Sequence, residues 1–202
     1  MKSPRKPPVL RKPDHFPADQ VVQGWTAAQL LAHGDEFEQF HFINCELGEA
    51  RLGRLRFTDC LFERCNLSAA TLADTALQNV AFADCKLLGV PFSACRDMLF
   101  GVHFDRCQLG YASFAGKKMP GTRFAHCTLP ETDFTNADLR GATFAHCALP
   151  HAIFHHTSLQ AADFSTATQF HLDPESNELA GAKFSLEGLP GLLGKYGIEV
   201  VN

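Results

Sequence analysis

From Phe37 to Phe92 a Phe or Leu returns at every fifth residue without a gap, and this period dominates everything else in the chain. After a shift of two residues the series resumes at Leu99 and runs to Phe164, with Met119 as its one departure, giving 26 repeats in all. Two residues before most of the large apolar positions stands a smaller one, as at Cys45, Ala50, Cys60, Cys65, Ala70 and Thr75. A period of five matches neither the 3.6 of an α-helix nor the 2.0 of a strand. The chain must therefore turn a corner every five residues. Each short side buries one small and one large side chain, and three mostly polar residues make the corner.

The number of sides follows from what recurs at twenty. Allowing for the shift, one column reads Phe42, Phe62, Phe82, Phe104, Phe124, Phe144, Phe164, and another reads Leu47, Leu67, Leu87, Leu109, Leu129, Leu149. A third is Leu52, Leu72, Phe92, Phe114, Phe134, Phe154, and a fourth is Phe37, Phe57, Leu77, Leu99, Met119, Leu139, Leu159. Segregation of Phe from Leu at twenty, and not at five, predicts a coil of four sides with like side chains stacked in register.

The segment "NADLRGATF" at Asn136–Phe144 resembles the A(D/N)LXX motif of the pentapeptide-repeat family, and the resemblance runs from residue 35 to about 185. It implies an all-β fold, a right-handed quadrilateral β-helix with short helical caps. Residues 1–20, with Lys2, Arg5, Lys6, Arg11 and Lys12 among Pro4, Pro7, Pro8 and Pro13, read as a disordered basic tail. Residues 21–34 read as an N-terminal cap in which "WTAAQLLAH" forms a short helix between Thr26 and Gly34. The repeats occupy 35–185 with a bulge at 93–99, and 186–202 read as a capping helix near Pro190 followed by an apolar tail. This ending is similar to that of the quinolone-resistance members, which implies a homodimer through Leu189, Leu192, Leu193, Tyr196, Ile198 and Val200.

A net charge of -4 excludes the strongly basic balance of a direct nucleic-acid binder, and no apolar run suits a signal peptide or membrane span. A cytoplasmic location is expected. The chain carries no HExxH, no phosphate-cradling Gly-rich loop and no nucleophile elbow, so neither an enzyme nor a cofactor is expected. Seven of eight cysteines occupy the small inward position, six in one column, and Cys95 falls there too if the first register is continued. Parallel Cβ vectors about 4.8 Å apart are too far for a disulfide, so buried free thiols are expected. No CxxC pair points to zinc, and His126 and His146 face away from Cys127 and Cys147. A surface cluster of His146, His151, His155 and His156 is expected near one corner, as solvated side chains and not as a metal site.

At the bulge, Asp97 and Lys117 fall at inward positions before Leu99 and Met119, where they either pair or Lys117 swings out beside Gly116. Arg96, Asp97 and Lys117 are thus candidate partner contacts. The family resemblance further implies DNA mimicry, with binding to DNA gyrase or topoisomerase IV and modulation or protection from quinolones or toxins. About seven coils at ~4.8 Å span ~34 Å, and a tail-to-tail dimer ~70 Å, the length of ~20 base pairs. Charge matches less well: residues 35–165 hold 15 acidic and 11 basic residues. Mimicry would rest on shape and on Glu46, Glu49, Glu63, Asp84 and Asp105, a stretch interrupted by Arg64 and Arg106. The alternative is a cytosolic interaction scaffold with a different partner.

Overall fold

The computed structural model describes residues 16–198, and within them the chain winds as a four-sided parallel β-solenoid. One wall is a nine-stranded sheet. It is built from β1 (Val21–Gln23), β3 (His41–Ile43), β5 (Leu61–Glu63), β7 (Val80–Ala83), β8 (Val102–Asp105), β9 (Arg123–Ala125), β10 (Thr143–Ala145), β11 (Asp163–Phe164) and β12 (Lys183–Phe184). It carries the Phe column and is called the Phe wall here. A second wall holds β2 (Glu36–Glu38), β4 (Arg56–Thr58) and β6 (Ala76–Gln78), and continues above the bulge through parallel bridges Lys118 to Asp138 to Ser158 to Glu178. The other two walls are held by single bridges, one from Thr26 through Glu46 to Thr168 and one through Pro91, Ser113, Asp133 and Ile153. Nine strands at ~4.8 Å make eight steps and about 38 Å of rod, one coil more than expected. The added coil is at the start, where Val22 pairs with Phe42 and begins the column inside the segment read as cap.

Strand partners are twenty residues apart, except that β7 and β8 pair Phe82 with Phe104 at twenty-two. The phenylalanines of the Phe wall stack nearly parallel. Ring centroids are 4.5 Å apart for Phe42–Phe62, 5.4 Å for Phe82–Phe104 and 5.0 Å for Phe124–Phe144. Across the tube, Phe92, Phe114, Phe134 and Phe154 form a second stack that meets the first edge to face, as in Phe104–Phe114 at 5.7 Å and 74°. Both geometries are the favoured ones for aromatic quadrupoles. Lower in the rod the edge-to-face partner is instead Phe57 on the adjacent wall. Where the partnership passes from Phe57 to Phe92 the lining is largely leucine, Leu52, Leu67, Leu72 and Leu77, and a dry void of about 10 Å³ remains.

The smaller inward residue has a second task. Thr75 Oγ1 donates to the Leu52 carbonyl (2.7 Å), Thr132 to Leu109 (2.9 Å) and Thr157 to Phe134 (2.8 Å), each reaching one coil back. Cys60 and Cys85 use their Sγ in the same way toward Phe37 and Phe62. Cys and Thr thus fit an Ala site because a buried donor finds a ready carbonyl. All eight cysteines are free and buried, and burial pushes the Cys60 and Cys95 thiols up to about 12. Most corners place a residue at positive φ, such as Asn44 (51°), Asp84 (54°) and Gly116 (72°). Its N–H donates to a carbonyl of the next coil, as from Asn44 to Glu63, which offsets the steric cost for residues with a Cβ.

Three expectations are corrected. Leu99 is not in the core: it sits at φ 61° and is 56% exposed, while Phe100 turns in and is 9% exposed. Asp97 is likewise outside, because the turn that ends at Phe100 absorbs the two extra residues and ejects the side chains of 97–99. Among the described residues at the C-terminal end no α-helix forms. Leu189–Leu192 and Gly194–Tyr196 are 3-10 turns laid against Phe170, so close that a Cβ at Gly191 would meet the Phe170 carbonyl oxygen at 2.3 Å. At the other end α1 (Ala27–His33) does form, with Gln29 Oε1 accepting from the Thr26 N–H (2.8 Å) and Gly34 closing it.

Truncating the stack with Phe104→Ala is expected to cost about 3–5 kcal/mol in urea unfolding. Thr132→Val, which keeps the shape and removes the donor, is expected to cost about 1 kcal/mol.

Candidate interaction surface

No described helix is long and apolar enough to cross a membrane, and among the described residues no three His, Cys, Asp or Glu side chains are placed to hold a metal ion. The deep interior is packed with apolar rings, so whatever the rod does it does with its outside. The corner that follows the Phe wall stacks Asn44, Arg64, Asp84, Arg106, His126 and His146 in a vertical row. Arg64 Nε donates to Asn44 Oδ1 (3.0 Å), and its guanidinium pairs with Glu63. Arg106 holds Asp84 with two bonds, Nε to Oδ1 (2.7 Å) and Nη2 to Oδ2 (2.9 Å), and also pairs with Asp105. The Arg106 bond keeps the Asp84 carboxyl below the usual carboxylate range.

Three of the five candidate acidic contacts, Glu63, Asp84 and Asp105, are therefore already engaged by arginines of this chain. Glu63 also meets His41 Nε2 at 2.8 Å. Glu46 accepts from Asn66 Nδ2 (3.2 Å), and Glu49 is exposed at the next corner. The two arginines that interrupt the acidic stretch are its neutralising partners. Nor do the upper histidines gather at one corner: His146 stacks on His126 (5.0 Å) and His155 on His156 (4.0 Å). Residues five apart lie on successive corners, and this separates His146, His151 and His156.

At the bulge the buried alternative holds. The Lys117 side chain is 3% exposed, and its Nζ donates to Asp97 Oδ1 (2.7 Å) and to the Cys95 carbonyl, with the Phe100 ring 5.2 Å away. Gly116, at positive φ, makes an ordinary corner. Arg96 turns to the other side and clamps Asp74 with two bonds of 2.8 and 3.0 Å. The tip left between them, Met98 and Leu99, is exposed and apolar. At the far end Leu189, Tyr196 and Ile198 are exposed, while Leu192 and Leu193 are half-buried; Val200 lies outside the described residues. Lys195 fastens this cap to the last coil through Asp173 and Glu175, both at 2.6 Å.

The model for the pentapeptide repeat region matches residues 35–114 and 90–164. The chain belongs to the pentapeptide-repeat family. Its fold is accordingly the right-handed quadrilateral β-helix. Among solved structures, it is similar to a trypsin-treated variant of QnrB1, a plasmid-mediated fluoroquinolone resistance protein. The TM-score is 0.60 and the identity 16%, covering 90% of this chain and 97% of that one. It is also similar to HetL, involved in heterocyst differentiation regulation in Nostoc sp. strain PCC 7120, with TM-score 0.35 and 18% identity over 78% of this chain and 90% of that one. At these identities the first likeness shows the fold. No curated protein matches in sequence.

Because Asp97 is largely exposed, its attraction for Lys117 is worth little by itself; what matters is an ammonium left buried without its counter-ion. Asp97→Ala is expected to cost roughly 1–3 kcal/mol in urea unfolding, and adding Lys117→Met is expected to recover most of it. The Lys117 hydrogen bond also lowers the Asp97 carboxyl. Its contribution is present above the ordinary carboxylate value and is lost as pH falls through the lower folded one. The acid limb of stability is therefore expected to be shallower in Asp97→Asn than in the unchanged chain.

Proposed function

We propose that this protein is a non-enzymatic rod that binds a type II topoisomerase, DNA gyrase or topoisomerase IV, in the cytoplasm and modulates it or guards it from quinolones or toxins. The observation that carries the reading is the unbroken filled rod of about 38 Å, alike in fold along nearly its whole length to a fluoroquinolone resistance protein. A dimer joined through the C-terminal apolar residues would double that length. The corner row refines the reading. With Arg64 and Arg106 neutralising Glu63, Asp84 and Asp105, an imitation of duplex DNA here rests on width and length more than on charge density.

The same neutralisation favours a second reading, a protein-interaction scaffold with a different partner. Purified gyrase and topoisomerase IV separate the two. Inhibition of supercoiling or decatenation, or relief of quinolone-stabilised cleavage, at micromolar rod is the expected result. Absence of binding and of both effects would leave the scaffold reading.

Dimerisation is checked by sedimentation. The unchanged chain is expected to run at twice its 22.2 kDa mass, and Leu189→Glu with Ile198→Glu at the monomer mass with the same thermal unfolding midpoint.

A further inference from the structure

The last coil leaves one of its four sides unjoined. Three walls continue past the level of Ile153, pairing Phe164 with Phe184, Ala148 with Thr168 and Ser158 with Glu178. The fourth, the wall of Pro91, Ser113 and Asp133, stops at Ile153. At the two levels below, one residue closes each rung with two bonds. The Asp133 N–H donates to the Ala112 carbonyl (2.9 Å) and its carbonyl accepts the Phe114 N–H (2.7 Å); Ile153 does the same for Thr132 and Phe134, both at 2.9 Å. Counting on by twenty, Asp173 should serve Ala152 and Phe154. It does not, and among the described residues the Ala152 carbonyl and the Phe154 N–H have no partner. The sequence gives the reason: Leu172 stands in the slot of Ala112, Thr132 and Ala152, and Pro174 in the slot of Phe114, Phe134 and Phe154. A leucine overfills the small slot, and its N–H donates instead to the Gly191 carbonyl of the cap (2.9 Å). A groove of about 560 Å³ is left open, lined by Ile153 and Phe154 of the wall, His171 and Asp173 of the displaced segment, and Gly194 and Lys195 of the cap.

We propose that this groove takes an extended peptide segment of a partner protein, which supplies the missing rung. One residue of the peptide gives its N–H to the Ala152 carbonyl and accepts the Phe154 N–H on its own carbonyl, parallel to the wall as Ile153 is to Asp133. A free acceptor and a free donor on either side of one residue match the spacing of a peptide unit. Main-chain pairing at an open sheet edge is a general way of holding an extended segment, and the volume lies within the ~300–1,000 Å³ of sites that enclose a ligand. Side chains narrow the class. The residue at the rung stacks its own side chain over Ile153, which is 48% exposed, so an aliphatic residue fits there. Asp173 and Glu175 outnumber Lys195, which pairs with both at 2.6 Å, so a basic residue beside the rung is favoured. Gly194 lines the groove without a side chain to obstruct it. The site is independent of the topoisomerase reading above.

The capped peptide acetyl-Thr-Ile-Lys-Thr-amide is titrated into the full chain and followed by amide NMR. In the free protein the Phe154 N–H is expected to exchange with solvent at least about a hundredfold faster than the Phe134 N–H, which is paired. Saturating peptide is expected to shift the Phe154 amide downfield and slow its exchange toward that of Phe134. Methylating the isoleucine nitrogen of the peptide removes the donor to Ala152 and is expected to weaken binding at least about tenfold. Gly194→Leu, which places a side chain in the groove, is expected to block the peptide at an unchanged thermal midpoint; the methylated peptide tests the rung on the unaltered chain whether or not that variant folds. Equal exchange of Phe154 and Phe134 in the free protein would overturn the proposal. So would the absence of any shift up to millimolar peptide, equal binding of the methylated peptide, or shifts that survive Gly194→Leu.

Discussion

Vertical register holds this molecule together. From Phe82 to Phe164 each phenylalanine of the Phe wall rests on the one a coil earlier and meets a ring of the second stack edge to face, so a ring out of phase would lose both contacts at once. Backbone pairing points the same way, because the ladder that joins successive coils also fixes which rings are superposed. The corners, the inward hydroxyls and the free thiols are accommodations to that single constraint. A residue at positive φ turns the chain in time, and Thr or Cys at the small position ties one coil to the carbonyl of the coil before.

Much of this was legible in the sequence because the constraint is periodic. Columns of Phe and Leu at twenty implied four sides without further help, and the resemblance supplied the hand. Leu99 and Phe100 were harder. Both are large and apolar, and counting back by five from Phe104 selects Leu99, whereas the chain spends its two extra residues in a turn that buries Phe100. Spacing says that two residues must be absorbed between Phe92 and Phe104, but not where. The C-terminal turns were missed for another reason. Gly188, Gly191, Gly194 and Gly197 recur every three residues, a 3-10 spacing, and two of them clear space for Phe170, a contact that no local pattern reveals.

The candidate surface was legible as composition and not as chemistry. Glu63, Asp84 and Asp105 were visible as an acidic stretch, and Arg64 and Arg106 as interruptions. Their meaning depends on the twenty-two-residue step that brings Arg106 over Asp84, and the corner then becomes a row of internal pairs.

The slip from twenty to twenty-two has a consequence for how such a rod can vary. Coils touch their immediate neighbours, so two surplus residues are shed into one corner and the stack resumes its phase above it. A surplus of five could not be shed in that manner, because five residues make one complete side. Everything downstream would turn by a quarter revolution about the long axis, with its interior still filled but its polar exterior aimed in a new direction. Length changes in multiples of twenty extend the rod, small ones decorate a corner, and those of five re-aim half of the molecule.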